Sequence, residues 1–168
     1  MNTMNNFQFL TKYIIPSESE AKLSHYNKYI HHFFPIDPAE LANAESSLGK
    51  LPLELVNFYK SIGYGQFHIN NGSQNNSIFS IHDLIEINLK MGEHAMDPDL
   101  EIYDCFSIDT RLLFFNVIEG IYLFIDNIEK NDSNAIYYFD LKIFDSLNDF
   151  LIAMDINPNL LIEISKNY

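Results

Sequence analysis

Basic residues are scarce in this chain of 168 residues. Ten Lys and Arg stand against 23 Asp and Glu, which gives a formal net charge of −13 when His is neutral. A phosphate backbone is bound through clusters of basic side chains, so this charge excludes generic DNA or RNA binding. Since a negative protein attracts a positive one at long range, the expected partner is a basic protein.

Cysteine is nearly absent as well. Cys105 is the only one, so neither an intramolecular disulfide nor a metal site built from several thiolates can form. The chain also lacks an N-terminal basic stretch followed by an apolar run, and no segment reaches about 18 consecutive apolar residues. We therefore expect no secretion signal, no membrane span and a cytoplasmic location.

Apolar and aromatic residues, in contrast, are abundant. Hydrophobic residues make up 47% of the chain, and the aromatic residues are 14 Phe and 10 Tyr. A disordered chain has far fewer of both. A chain of this length buries roughly 70% of its unfolded surface around one core. The acidic charge is therefore predicted to lie on the surface of one folded body.

Start and stop signals predict five helices. Ser17 and Glu20 form a capping box for a helix that would end before Pro35. Asp37 and Pro38 supply the N-cap and first residue of a second helix. The other predicted helices run from Pro52 to Gly63, from Ser80 to Gly92, and from Asp145 or Ser146 through Met154.

Runs of β-branched and aromatic residues between turn formers predict strands in two places. Residues 66–69 and 77–80 are expected to form a hairpin, and residues 112–117, 121–128 and 135–139 a three-stranded antiparallel meander. Strands between helices at the N- and C-terminal ends indicate an α+β fold with an antiparallel or mixed sheet. We expect residues 1–34 to be a helical extension packed on a domain that spans residues 35–168.

The order of several short motifs is typical of one protein family. A Leu-Pro pair at Leu51 and Pro52 precedes a short amphipathic helix, and a glycine turn at 63–65 leads into the first strand. The second half contains Gly-Ile-Tyr-Leu at 120–123 and a closing Ser-Leu-Asn-Asp-Phe-Leu helix at 146–151. Together these blocks span residues 35–156 and resemble the SUKH superfamily, of the Smi/Knr type.

The resemblance implies a non-enzymatic α+β domain that binds other proteins, with no catalytic residue and no cofactor to assign. Many bacterial members are immunity proteins that neutralise secreted toxins, often nucleases. Fungal relatives regulate cell-wall synthesis and signalling through protein contacts. Two hypotheses follow: an immunity protein that occludes a toxin domain, or a regulatory or scaffold module that binds an endogenous protein.

More than half of the net charge lies in residues 83–109, where eight carboxylates accompany one lysine. One interpretation is an acidic surface that captures a basic toxin domain. The alternative is a solvated loop whose charges keep the domain soluble. The candidate partner-binding residues are five carboxylates of the polar connection 93–104: Glu93, Asp97, Asp99, Glu101 and Asp104.

The six His and the single Cys are weaker candidates. No His-Glu-x-x-His spacing occurs, and adjacent His31 and His32 would point to different faces of a helix, so we expect no metal site. Cys105 would need His82 or His94 as a base to act as a nucleophile. We expect instead that Cys105 is a small buried residue at the start of a strand, where nearby carboxylates disfavour a thiolate. No enzyme activity is predicted.

Overall fold

Seven strands form one sheet in the part of the chain that the computed structural model describes, which comprises residues 6–16, 28–69, 76–118, 120–130 and 133–166. Each strand pairs antiparallel with the next along the chain. The strands are β1 (His32–Phe34), β2 (Tyr64–Gln66), β3 (Ser77–Ile78), β4 (Arg111–Ile118), β5 (Ile121–Asp126), β6 (Ile136–Tyr138) and β7 (Leu141–Phe144).

Helices precede, interrupt and follow these strands. They are α1 (Pro38–Leu48), α2 (Leu53–Ser61), α3 (Ile81–Leu89), α4 (Leu147–Ile156) and α5 (Leu160–Ser165). Short 3₁₀ helices cover Gln8–Tyr13, Gly92–His94 and Pro98–Tyr103. The predicted α+β class is confirmed: the named strands pair with one another antiparallel, and Ile14 adds an isolated parallel bridge to Phe33 of β1.

Local capping explains why α1 begins where the sequence predicts. The Asp37 carboxylate accepts from the backbone N–H of Ala39 at 2.8 Å, and the Glu40 carboxylate accepts from the N–H of Asp37 at 3.0 Å. This reciprocal arrangement satisfies two N–H groups that the helix itself leaves open. Gly49 then ends the helix with a positive φ of 80°.

The prediction of a helix that ends before Pro35 is wrong over the last residues of that helix. Its start at Ser17 lies outside the described residues, and His32–Phe34 forms the edge strand β1. Phe33 is buried between two half-buried neighbours, and it pairs with Gly65 of β2. A β carbon at Gly65 would collide with the carbonyl of His32, so glycine is what lets the two strands approach. The division into a 1–34 extension and a 35–168 domain stays a prediction.

Other element boundaries shift by a few residues. The predicted hairpin is present as β2 and β3, but β2 covers Tyr64–Gln66 because His68 turns the chain at a φ of 49°. Helix α3 ends at Leu89 and not at Gly92, because its C-cap residue Lys90 also has a positive φ. The predicted meander is confirmed as β4, β5 and β6, whereas β7 and α5 were not predicted.

Buried residues of the sheet and the helices form one hydrophobic cluster. Aromatic rings meet edge to face inside it, with Phe33 and Phe67 at 5.1 Å between centroids and Phe115 and Phe150 also at 5.1 Å. These pairs join β1 to the chain after β2, and β4 to α4. Within the described ranges, no helix combines the length and the hydropathy needed to cross a bilayer.

Candidate functional site

The chain between α3 and β4 holds all five predicted binding residues. We call residues 90–104 the acidic loop. Its two ends meet, because the Lys90 ammonium at the end of α3 contacts the Asp104 carboxylate that follows the second 3₁₀ helix. The sequence predicts a plain polar connection here, whereas the structure shows a loop that is closed by an ion pair and contains two 3₁₀ helices.

Two buried side chains attach the acidic loop to the sheet. Leu100 and Tyr103 are both buried in the core cluster. The Tyr103 hydroxyl accepts from the N–H of Tyr122 at 2.9 Å and donates to the carbonyl of Gly120 at 3.4 Å. Burial raises the pKa of Tyr103 to about 12, so the hydroxyl keeps its proton and remains a donor at neutral pH. The loop is therefore fixed against the turn between β4 and β5.

The structure divides the five predicted carboxylates into two groups. Asp97 caps the second 3₁₀ helix by accepting from the N–H of Asp99 at 3.0 Å, and Asp104 is paired with Lys90. These two carboxylates thus have roles in holding the loop. Glu93, Asp99 and Glu101 are exposed.

The same loop exposes three large apolar side chains that sequence reasoning missed. Met96 is 92% exposed, and Met91 and Ile102 are each 51% exposed. Periodicity does not separate them from Leu100 and Tyr103, because the direction of each side chain depends on the 3₁₀ turns. The available signal was the position of isolated apolar residues in an otherwise acidic stretch.

Cys105 is exposed, which corrects the expectation that it is buried. Strand β4 begins at Arg111, so Cys105 lies in the turn after the second 3₁₀ helix and not at the start of a strand. His82 faces Glu86 and His94 faces Asp97, each at 3.4 Å. In the described part of the chain, the structure therefore pairs neither predicted base with the thiol.

His31 and His68 lie together in a buried polar cluster. The Nδ1 atom of His31 accepts from the backbone N–H of His68 at 3.0 Å, so the ring proton is on Nε2 and is donated to Asp155 at 2.9 Å. The His68 ring contacts the carbonyl of Met154. Burial lowers the pKa of His31 to about 4. Both nitrogens of His31 are engaged by the fold, so this ring ties the chain before β1 to the end of α4.

A buried carboxylate connects three distant parts of the chain. Glu54 of α2 accepts from the N–H of Asn134 at 2.6 Å and from the N–H of Leu147 at 3.0 Å. The Asn134 side chain accepts in return from the N–H of Glu54 at 3.0 Å. Because Leu147 is the first residue of α4, the charge lies at the N-terminus of that helix, where a carboxylate is favoured. Glu54 therefore stabilises the fold.

No group of three or more His, Cys, Asp or Glu side chains is arranged to hold a metal ion among the residues that the structure describes. His31, His68, Glu54 and Asn134 already have protein partners in the two clusters above. The acidic loop combines exposed carboxylates with exposed apolar side chains.

Comparisons with known proteins identify the family. The family model SUKH_6, described as SMI1-KNR4 cell-wall, matches residues 38–151, from the start of α1 into α4. The chain belongs to this SUKH family. It is also similar to the immunity protein YxxD of Bacillus subtilis (strain 168), with 35% identity over 133 residues that cover 79% of this chain and 88% of that protein. No solved structure matches the chain.

The family assignment confirms the resemblance that the motifs indicate. The region matched by the SUKH model contains the whole acidic loop, Glu54 and the strands of the meander. Strand β1 and helix α5 lie outside it. The candidate surface is thus part of the SUKH domain itself.

Proposed function

We propose that this SUKH protein is an immunity protein that binds a protein toxin in a stoichiometric complex and blocks its active surface. The observation that carries the proposal is the similarity to an immunity protein over 88% of that relative's length. The mechanism is occlusion, so the immunity protein needs no catalytic group of its own. We place its action in the cytoplasm, a reducing compartment that suits a chain with one exposed cysteine.

The charge supports a basic toxin domain as the partner. The protein carries a net charge of −13, and its acidic loop places Glu93, Asp99 and Glu101 in solvent. Such a surface attracts a positive surface and accelerates encounter. A nuclease binds phosphates through basic side chains. Carboxylates at such a site would compete with its substrate, so a nuclease toxin is the expected class.

Co-expression tests the proposal. The toxin would be the C-terminal domain of a secreted protein encoded beside this chain, produced in a host whose growth it stops. The immunity protein should restore growth, and an inactive variant of the toxin domain should form a one-to-one complex with it. The exposed helix variant Glu45→Gln serves as a matched control and should rescue as well as the unmodified protein. A folded protein that neither rescues growth nor forms the complex would refute the proposal.

The description of the matched family as SMI1-KNR4 cell-wall supports a second candidate, a regulatory or scaffold module for an endogenous protein. The two functions predict different partners. Affinity capture from source cells that lack the neighbouring toxin gene would recover a defined endogenous partner only if the second candidate is correct.

A further inference from the structure

We propose that Met96, with Met91 and Ile102, forms the apolar anchor through which the acidic loop grips the basic toxin domain. This inference rests on the proposed function, and it names the contact that would supply most of the affinity. The occupant is the toxin domain, with an apolar contact surrounded by basic side chains. The exposed carboxylates of the loop would then form a charged rim around the anchor.

The exposure of these side chains is the first argument. Isolated exposed apolar residues are common on protein surfaces. Here, however, three large ones lie within twelve residues, and Met96 exposes 92% of its surface. Methionine is flexible and polarisable, so it adapts to irregular apolar partner surfaces. Side chains of this kind are enriched at the buried centre of protein interfaces.

The second argument is that the loop is fixed before a partner arrives. The Lys90–Asp104 ion pair closes it, the Asp97 cap holds its second 3₁₀ helix, and buried Tyr103 fastens it to the turn at Gly120. Ordering a free segment costs conformational entropy on binding, whereas a fixed loop has already met that cost during folding. The three apolar side chains of the anchor thus belong to a loop that is ordered before the partner binds.

The third argument is the charge around the anchor. The exposed carboxylates of Glu93, Asp99 and Glu101 all lie between Met91 and Ile102 in the chain, on both sides of Met96. Interfaces commonly combine an apolar centre with a polar rim that remains in contact with water. A rim of one sign is complementary to a basic surface and repels an acidic one. The pattern therefore selects a positively charged protein over other apolar surfaces.

Substitution of the anchor tests the inference in the full-length protein. Met96→Ala should weaken binding to the inactive toxin domain by about 10- to 100-fold, chiefly through faster dissociation, because a central apolar contact is lost. Met96→Leu keeps a large apolar group and should stay within about threefold of the unmodified protein. Ile156→Ala is the matched control, since Ile156 is 74% exposed at the end of α4 and outside the loop. It should leave the affinity unchanged.

The outcomes separate the two proposals. The first outcome is that the unmodified protein binds and the affinity is unchanged in Met96→Ala and in a triple Ala variant of Met91, Met96 and Ile102. This result would overturn the anchor and leave the immunity function standing. Equal weakening by Ile156→Ala would also overturn it, because the effect would not belong to the loop. A correctly folded unmodified protein that fails to bind would overturn the immunity function and the anchor together. Circular dichroism and thermal unfolding of each variant establish that it is folded.

Discussion

His31 shows how one buried residue links pH to stability. Its ring is fully buried, with Nδ1 accepting from the backbone of His68 and Nε2 donating to Asp155. Burial lowers the pKa of this imidazole from the ordinary 6.5 to about 4. In the folded protein the ring is therefore neutral over most of the mildly acidic range, whereas in the unfolded chain it gains a proton.

The free energy of unfolding should consequently fall as the pH is lowered from about 6.5 towards 4. In this window the unfolded state binds more protons than the folded state, and stability decreases with falling pH wherever that holds. The contribution of His31 is complete above pH 6.5. Urea unfolding at pH 7, 6 and 5 measures the slope of the free energy of unfolding against pH. This slope should be smaller in His31→Gln than in the unmodified protein. His82→Gln, at a 75% exposed side chain, should keep the original slope. Equal slopes in all three proteins would contradict the assignment.

At the scale of elements, the shortness of β3 leaves part of β4 without a strand partner on that side. Only Ser77 and Ile78 pair with β4, through Asn116 and Phe115. Further along β4, the side chain of Asn88 replaces a neighbouring strand. Its amide donates to the carbonyl of Leu113 at 2.8 Å, and its oxygen accepts from the N–H of Leu113 at 2.9 Å. Helix α3 is thereby joined to the sheet by a side chain that imitates backbone pairing.

Asn88→Leu should lower the free energy of unfolding by about 2 to 4 kcal/mol, because it leaves two backbone groups of Leu113 unsatisfied. Asn88→Asp can still accept from the N–H of Leu113 but cannot donate to the carbonyl. We therefore expect it to lower the free energy of unfolding by an intermediate amount. Urea unfolding at neutral pH measures both. Asn57→Leu, on the exposed side of α2, is the control and should change stability by no more than about 0.5 kcal/mol. An Asn88→Leu protein as stable as the control would show that water satisfies these groups.

Elements with local signals could be predicted from the sequence. The cap at Asp37 and the stop at Gly49 are complete within α1, and both are present. Strand β1 could not be predicted in this way, because the apolar spacing up to Phe33 also fits a helix. Its identity depends on Gly65, which lies more than thirty residues further along the chain. Pairing over such a distance leaves no trace in the local pattern.

The candidate site was predictable only in its charge. Glu93, Asp99 and Glu101 are exposed, as a polar connection implies, but the roles of Asp97 and Asp104 in holding the loop depend on contacts made after folding. Exposed Met96 lies between the two 3₁₀ helices, and the second of these contains the buried residues Leu100 and Tyr103. The order of residues in the sequence thus shows where the charge is concentrated. Tertiary packing decides which apolar side chains remain in solvent.

At the scale of the whole molecule, the charge distribution predicts how a complex would form. Residues 83–109 contribute a net charge of −7 to the total of −13. If the partner approaches this side, nearby carboxylates should accelerate association more than distant ones, since exposed charges are screened beyond about 8 Å at physiological salt. Neutralising two carboxylates of the acidic loop should therefore slow association more than neutralising two carboxylates elsewhere on the surface.

The comparison uses two double variants with the same loss of charge and the same residue types. Asp99→Asn with Glu101→Gln should slow association with the inactive toxin domain by about two- to fivefold at low salt, and should flatten its dependence on salt. Asp140→Asn with Glu45→Gln, at exposed positions of the chain outside the loop, should slow association less. Stopped-flow association at increasing salt measures both. If the two variants slow association equally, only the total charge matters, and the acidic loop has no special part in capture. If association does not depend on salt at all, electrostatic steering plays no part, and the affinity has to come from short-range contacts such as those of Met96.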